Sequence, residues 1–399
     1  MFDVAESHPQ RLNVLVSFSL LAGLAGLWIY ARAFPPWGDE RHFLETVRLF
    51  GQGVSLDLLR TYPEMTAPLT YLAYSAWGHV AGFSTPALRL LSPMIAWGAA
   101  TVWWFAIRRH VRSAPMALLA LGVIVFNPYF VGLSVFVFTD MLSLLGMALL
   151  VLGVDSRRPW LSAVGLVVAT TARQYLVFLV PALLVADWLV RPRSVRPWRF
   201  TMSALVGTIP LLALIVLWDG HFAPDSALRD RYLAEGVRFD LHAFALYLAM
   251  PGAYLVLLAV PIALRLNAPL WGLAALAGVF VFAFPVQASI AQTREGAFTV
   301  GFLHKAVSSA LPAWGTTLFF AVMATLGVAG LVYCGRRSLS DWRTGARPMT
   351  TVFLWAGILS FLVVMPFSYM PWEKYALPLL MLSSLIFARN AGAAEDSTA

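Results

Sequence analysis

Long apolar runs alternate with short polar breaks along the whole chain. A bilayer-spanning helix takes roughly 20 such residues, and the runs fall at about 12–34, 86–108, 114–130, 134–153, 158–172, 174–190, 200–218, 243–264, 268–286, 312–335, 350–368 and 375–389. This pattern predicts an all-α polytopic membrane protein of about 12 transmembrane helices, organised as a single domain over residues 1–399. Breaks are expected at Asn127-Pro128 and from Thr171 to Gln174, since proline ends or kinks a helix. The larger connections are 35–85, 219–242 and 287–311. Within the first, His42, Phe43, Val47, Phe50 and Val54 recur at helical spacing, and Leu69, Leu72, Ala73, Ala76 and Val80 form a second stripe. Both stripes read as amphipathic helices lying in the membrane interface, or as loop segments packed on the bundle. From Ala391 the chain is short and polar, and a disordered tail is expected over 391–399.

Composition agrees with this pattern. Hydrophobic residues make up 60% of the 399 and charged residues only 12%, about half the share of a soluble domain. The formal charge of +8 would suggest nucleic acid in another setting. Here the arginines lie in short loops: Arg11, Arg108-Arg109, Arg112, Arg157-Arg158, Arg191 through Arg199, Arg265, Arg336-Arg337, Arg343, Arg347 and Arg389. They act as topology signals and place both termini in the cytoplasm. The single Cys334 excludes an internal disulfide framework. The first apolar run is too long for the apolar core of a cleavable signal peptide. The dominance of arginine over lysine, with heavy use of Ala, Leu, Val and Gly, favours a prokaryotic plasma membrane; a eukaryotic chain would belong in the endoplasmic reticulum membrane.

The ionisable groups on the opposite, extracytoplasmic side carry the candidate chemistry. Charges at membrane depth are costly and mark function or pairing. Asp39 and Glu40 follow the first run directly. On a helix or turn they point about 100° apart, so one can take a proton from a hydroxyl while the other orients it or binds a divalent cation. The alternative is a capping pair for a helix beginning near Arg41. His42 lies two residues on. Glu64 sits in a proline-bounded segment, as a site residue or a helix cap. Asp140 lies inside an apolar helix with Arg173 as its expected partner, either a functional pair or a structural ion pair. Arg173-Gln174 interrupts an apolar stretch. Glu373, Lys374 and Tyr375 stand at the head of the last run, where Lys374 either binds a lipid phosphate or snorkels to the interface. Arg294 and Lys305 flank another candidate phosphate grip. The histidines lack ligand spacing, so no zinc site is expected. No phosphate-binding glycine loop precedes a helix, so nucleotide hydrolysis is not indicated.

In order and spacing these residues resemble the GT-C superfamily of multi-pass glycosyltransferases. Within it they resemble the dolichyl-phosphate-glucose α-1,2-glucosyltransferase family. The likeness rests on Asp39-Glu40 with His42, on Tyr62-Pro63-Glu64-Met65-Thr66-Ala67-Pro68, on Leu88-Arg89-Leu90, on Phe138-Thr139-Asp140, on Arg173-Gln174 and on Lys374-Tyr375-Ala376-Leu377-Pro378. Tyr62 stands where the family motif has an aspartate. The resemblance implies a GT-C-like helix bundle and an inverting transfer of a hexose, glucose favoured, from a polyprenyl- or dolichyl-phosphate carrier to a glycan or glycolipid acceptor. It implies Asp39, or Glu40, as the general base, and Lys374, Arg294, Arg173 and Lys305 as cations for the donor phosphate. His42, Glu64, Asp140, Gln174, Glu373 and Tyr375 would hold the acceptor or sugar. The competing reading is a transporter or flippase for a lipid-linked or anionic substrate. That reading needs polar residues at mid-membrane on both halves, and the cytoplasmic half carries few.

Overall fold

A computed structural model describes residues 7–190, 198–287, 299–344, 348–368 and 370–395. Among the described residues all regular structure is helical. In chain order the helices are α1 (Ser7–Ala31), α2 (Glu40–Gly51), α3 (Leu56–Thr61), α4 (Leu69–Ala81), α5 (Thr85–Arg89), α6 (Leu91–His110), α7 (Ala114–Val125), α8 (Pro128–Val135), α9 (Asp140–Asp155) and α10 (Pro159–Ala172). They continue with α11 (Leu179–Val190), α12 (Arg199–Leu217), α13 (Ala227–Glu235), α14 (Leu241–Tyr254), α15 (Val256–Ala263), α16 (Ala268–Ala283), α17 (Phe302–Ala310), α18 (Ala313–Arg343), α19 (Met349–Val364) and α20 (Leu377–Glu395).

Each expected apolar run contains a helix, but not each is a full-length span. Among the described residues, five helices are long and apolar enough to cross a membrane, or up to seven if each of two bent pairs counts as one span. The remaining apolar helices, such as Pro159–Ala172 and Ala268–Ala283, are shorter. Both expected breaks are present: α7 stops before Pro128, and α10 gives way at Arg173 to a 3-10 turn over Gln174–Phe178. A further break, between α14 and α15, bends the path by 87°. Large apolar side chains stay exposed along the spans, including Phe18 and Ile29 on α1 and Leu205, Ile209 and Val216 on α12. Such surface is stable against lipid, not water. The molecule is thus an α-helical multi-pass membrane protein. At the C-terminus, α20 continues through Glu395, past Ala391, where the tail was expected to begin.

The chain divides into two compact units. The first comprises residues 1–106, 130–177 and 199–234; the second comprises 107–129, 178–198 and 235–399. In the first unit α9 and α10 form a close antiparallel pair, and glycine makes the approach possible. A Cβ on Gly146 would lie 2.4 Å from the backbone nitrogen of Ala169, and one on Gly165 would lie 2.4 Å from that of Leu150. This pairing brings the start of α9 to the end of α10.

Within 35–85 the two stripes lie on helices α2 and α4, and the two helices turn different faces inward. Helix α2 buries Phe43, Val47 and Phe50, whereas His42 is exposed and Val54 lies beyond the helix end. Helix α4 buries Thr70, Tyr71, Tyr74, Ser75 and Gly78 instead of its apolar stripe. Ala76 and Val80 are exposed, and Leu69, Leu72 and Ala73 are half-buried. The reason is a set of buried hydroxyl bonds. Tyr62 donates to the Thr66 carbonyl at 2.5 Å, Thr66 and Tyr71 share a hydroxyl bond of 2.5 Å, and Tyr74 and Ser92 share one of 2.7 Å. Tyrosine can be buried when its hydroxyl finds a partner, so the polar face turns inward and the aliphatic face outward.

Candidate functional site

The first unit gathers Asp39, Glu40, His42, Glu64, Asp140, Arg173 and Gln174. Glu40 is fully buried and opens α2. Its Oε1 accepts from Arg89 Nε at 2.8 Å and from the Val137 backbone N–H at 2.9 Å. Its Oε2 accepts from Arg89 Nη2 at 2.6 Å and from the Trp37 N–H at 3.3 Å. Arg89, also fully buried, donates further to the carbonyls of Ala31 at 2.9 Å, Phe34 at 2.7 Å and Pro35 at 3.2 Å. All five guanidinium N–H groups are thereby used, and the guanidinium carbon stands 4.8 Å from the Phe136 ring centroid. The pair joins the exit of α1, the head of α2, the end of α5 and residues 136–137. Asp39, one residue earlier, differs sharply: its side chain is exposed and makes no capping bond to α2.

Glu64 is buried, 6% exposed, in the turn between α3 and α4. Burial, with the charges of Asp39 and Glu45, pushes its carboxyl up to about 8, against the opposing pull of Arg173. The turn is gripped by Gln174, whose Oε1 accepts from the Ala67 N–H at 2.9 Å and whose Nε2 donates to the carbonyls of Met65 and, at 2.6 Å, Phe222. Burial and the neighbouring Glu64 also hold the Tyr62 phenol well above its usual range.

Asp140 and Arg173 form the expected ion pair. Arg173 Nε reaches Oδ1 at 2.9 Å, and Nη2 reaches Oδ1 at 2.8 Å and Oδ2 at 2.9 Å. Both are almost completely buried, a setting in which the two charges depend on each other.

In the second unit, Glu373 is buried against the N-terminus of α17. Its Oε1 accepts from the His304 N–H at 2.7 Å; its Oε2 accepts from the Leu303 N–H at 3.0 Å, Tyr129 Oη at 2.9 Å and Tyr254 Oη at 2.7 Å. Tyr129 Oη in turn accepts from the Phe302 N–H at 2.6 Å. Three leading amides of α17 are satisfied this way, an arrangement that suits an anion at a helix N-terminus. A Cβ at Gly301 would fall 2.0 Å from Tyr129 Oη, so glycine is needed for this closeness. Burial lowers the His304 imidazole below its usual range. Lys374 is buried with Nζ 5.3 Å from the Trp372 ring and 5.4 Å from the Tyr375 ring. Lys305 is exposed and Tyr375 half-buried; Arg294 lies outside the described residues. Among the described residues, no three His, Cys, Asp or Glu side chains are grouped to hold a metal ion.

Four partners were absent from the sequence-based site: Arg89, Tyr62, Tyr129 and Tyr254. Arg89 and Tyr62 stood in the motif segments without a role assigned, and Arg89 was also a lone cation early in the apolar window 86–108.

These features define the class as an α-helical multi-pass membrane protein with buried ion pairs beside an exposed carboxylate. No protein-family model and no curated protein matches the chain. Among solved structures it is similar to ArnT from Cupriavidus metallidurans. In the apo state the identity is 13% over 97% of this chain and 78% of that one, with a TM-score of 0.45. In the undecaprenyl phosphate-bound state the values are 14%, 94%, 77% and 0.41. Similarity this faint does not define a family.

Proposed function

We propose that the protein is a membrane-embedded inverting glycosyltransferase that moves a sugar from a polyprenyl-phosphate carrier to a glycan or glycolipid acceptor on the extracytoplasmic face. The observation that carries the reading is the contrast between adjacent acids. Glu40 is locked by Arg89, whereas Asp39 is exposed at the same point with buried Glu64 near enough to be perturbed by its charge. A carboxylate placed rigidly at a membrane surface suits a general base. In the proposed step the acceptor hydroxyl oxygen attacks the anomeric carbon and Asp39 takes the hydroxyl proton. The bond from that carbon to the phosphate oxygen breaks, and polyprenyl phosphate leaves with the electron pair. Glu40 is a positioning residue that acts through Arg89. Glu64, on the turn held by Gln174, contacts the acceptor, with His42 beside it. Lys374, with Arg294, Arg173 and Lys305 as further cations, is assigned to the leaving phosphate, where charge stabilisation is a large effect. The choice of a hexose, and of glucose, rests on the motif resemblance; about 12 spans rest on the apolar runs, and cytoplasmic termini on the arginines in the short loops.

The test is a turnover assay. Purified protein is given a panel of synthetic polyprenyl-phosphate hexoses and a mixed glycolipid acceptor extract, and products are read by mass spectrometry. A hexose-mass gain with stoichiometric release of polyprenyl phosphate, lost in Asp39→Asn while donor binding persists, is expected. Wild-type turnover in Asp39→Asn overturns the base assignment. Vectorial movement of the lipid without covalent change makes the protein a transporter.

A further inference from the structure

A second candidate site lies wholly in the second unit and is independent of the proposed transfer. A groove of about 360 Å³ runs between α11, the C-terminal end of α18 and the start of α19. Its walls are almost entirely apolar, with Leu189, Leu339, Val352, Trp355 and Leu359 among them and Gly335 at its floor. One end carries positive charge. Arg389 donates to the hydroxyl of Thr351, itself a lining residue. Arg337 precedes lining Ser338, and Arg343 follows lining Trp342. Arg337 and Arg389 both act electrostatically on Cys334, one position before Gly335. Asp341 is the acid on this stretch of α18. Trp355 donates its indole N–H to Ser338 at 3.2 Å, the mixed apolar and polar contact that tryptophan makes at a membrane interface.

An apolar trough ending in arginines and indoles matches one occupant in shape and charge. We propose that this groove is a binding site for an anionic glycerophospholipid, the acyl chain lying in the trough and the phosphate meeting Arg389, with Arg337 and Arg343 as flanking charges. A zwitterionic lipid of the same chain length fills the trough but gains less from the arginines, because its headgroup carries no net charge. Each arginine near a membrane surface favours an anionic lipid by about fivefold. The site therefore discriminates by headgroup, not by chain.

Native mass spectrometry of the purified full chain tests this, with dioleoyl phosphatidylglycerol and dioleoyl phosphatidylcholine as matched probes. One phosphatidylglycerol is expected to stay bound at collision energies that strip phosphatidylcholine, and to raise the thermal midpoint. Arg389→Gln should lower the preference for phosphatidylglycerol about fivefold. Gly335→Phe should fill the trough and abolish retention of both; a Cβ there stands in ordinary contact with the Trp355 ring, at 3.6 Å, and the ring beyond it enters the trough. Arg343→Gln, an exposed position, gives a partial loss of preference if Arg389→Gln fails to fold. Equal retention of both lipids by the wild type overturns the proposal. So does a phosphatidylglycerol adduct that persists in Gly335→Phe.

Discussion

The Glu40 carboxylate and the Arg89 guanidinium meet at 2.6 and 2.8 Å with neither side chain exposed. Removing one partner of a buried pair leaves the other uncompensated, at about 3–5 kcal/mol. Glu40→Gln and Arg89→Leu should therefore lower the thermal midpoint and folded yield in detergent. Arg89→Lys should fail almost as badly, because an ammonium has three donors where five are used. Recovery of wild-type stability by Arg89→Lys would show that charge alone, without the fork geometry, holds this junction.

Glu64 sets a pH dependence of stability. In the unfolded chain its carboxyl ionises near 4.5, and in the folded chain near 8. Between these values the folded state holds the extra proton, so stability falls as pH rises through the window and levels off above it. Thermal midpoints of wild type and Glu64→Gln, compared at pH 5 and pH 9, should show wild type losing ground at the higher pH. A difference independent of pH would mean that Glu64 titrates as a solvated acid.

Gln174 holds the Glu64 turn by two bonds and ties it to the Phe222 carbonyl by a third. Gln174→Leu should cost about 1–3 kcal/mol, the desolvation of the groups left unpaired. If the proposed acceptor contact is right, it should also raise the acceptor KM more than it lowers kcat. Steady-state kinetics over acceptor concentration separates the two. An unchanged KM with intact fold would remove this turn from the acceptor site.

Glu373 should act as the distant cap of α17. Glu373→Gln leaves one acceptor oxygen for four donors, at a cost of about 1–3 kcal/mol. Amide exchange at Leu303 and His304 should accelerate while exchange in the α9–α10 pair stays unchanged. Unaltered protection at these two amides would assign the cap elsewhere.

What could be read from sequence followed from how each interaction is encoded. Asp140 and Arg173 are isolated charges in apolar runs, and desolvation alone forces such groups to pair, so their bond was expected and is present. The breaks at Pro128 and Arg173 were equally legible, because proline and charge interrupt apolar periodicity. Adjacent acids gave no such guidance. Asp39 and Glu40 are chemically alike, and only the start of α2 decides that Glu40 turns inward and Asp39 outward. Arg89 fell within a run otherwise legible as a span, and its acceptors are mostly backbone carbonyls, which leave no residue-type signature. Which face of α4 packs inward was not legible, because periodicity ranks leucine above tyrosine for burial. Partnered hydroxyls reverse that order here, as Tyr71 and Tyr74 show. Span number is less legible, since hydropathy does not show where an apolar helix such as α10 stops short.

The acceptors of Arg89 also carry a direction in time. Ala31, Phe34, Pro35 and Glu40 all precede it in the chain, so a ribosome completes every one before the arginine emerges. The span Thr85–His110 thus leaves the ribosome with every acceptor for its cation already synthesised. An insertion between α2 and α5 would lengthen the wait but leave the order intact, whereas a circular permutation opening the chain at residue 60 would reverse it.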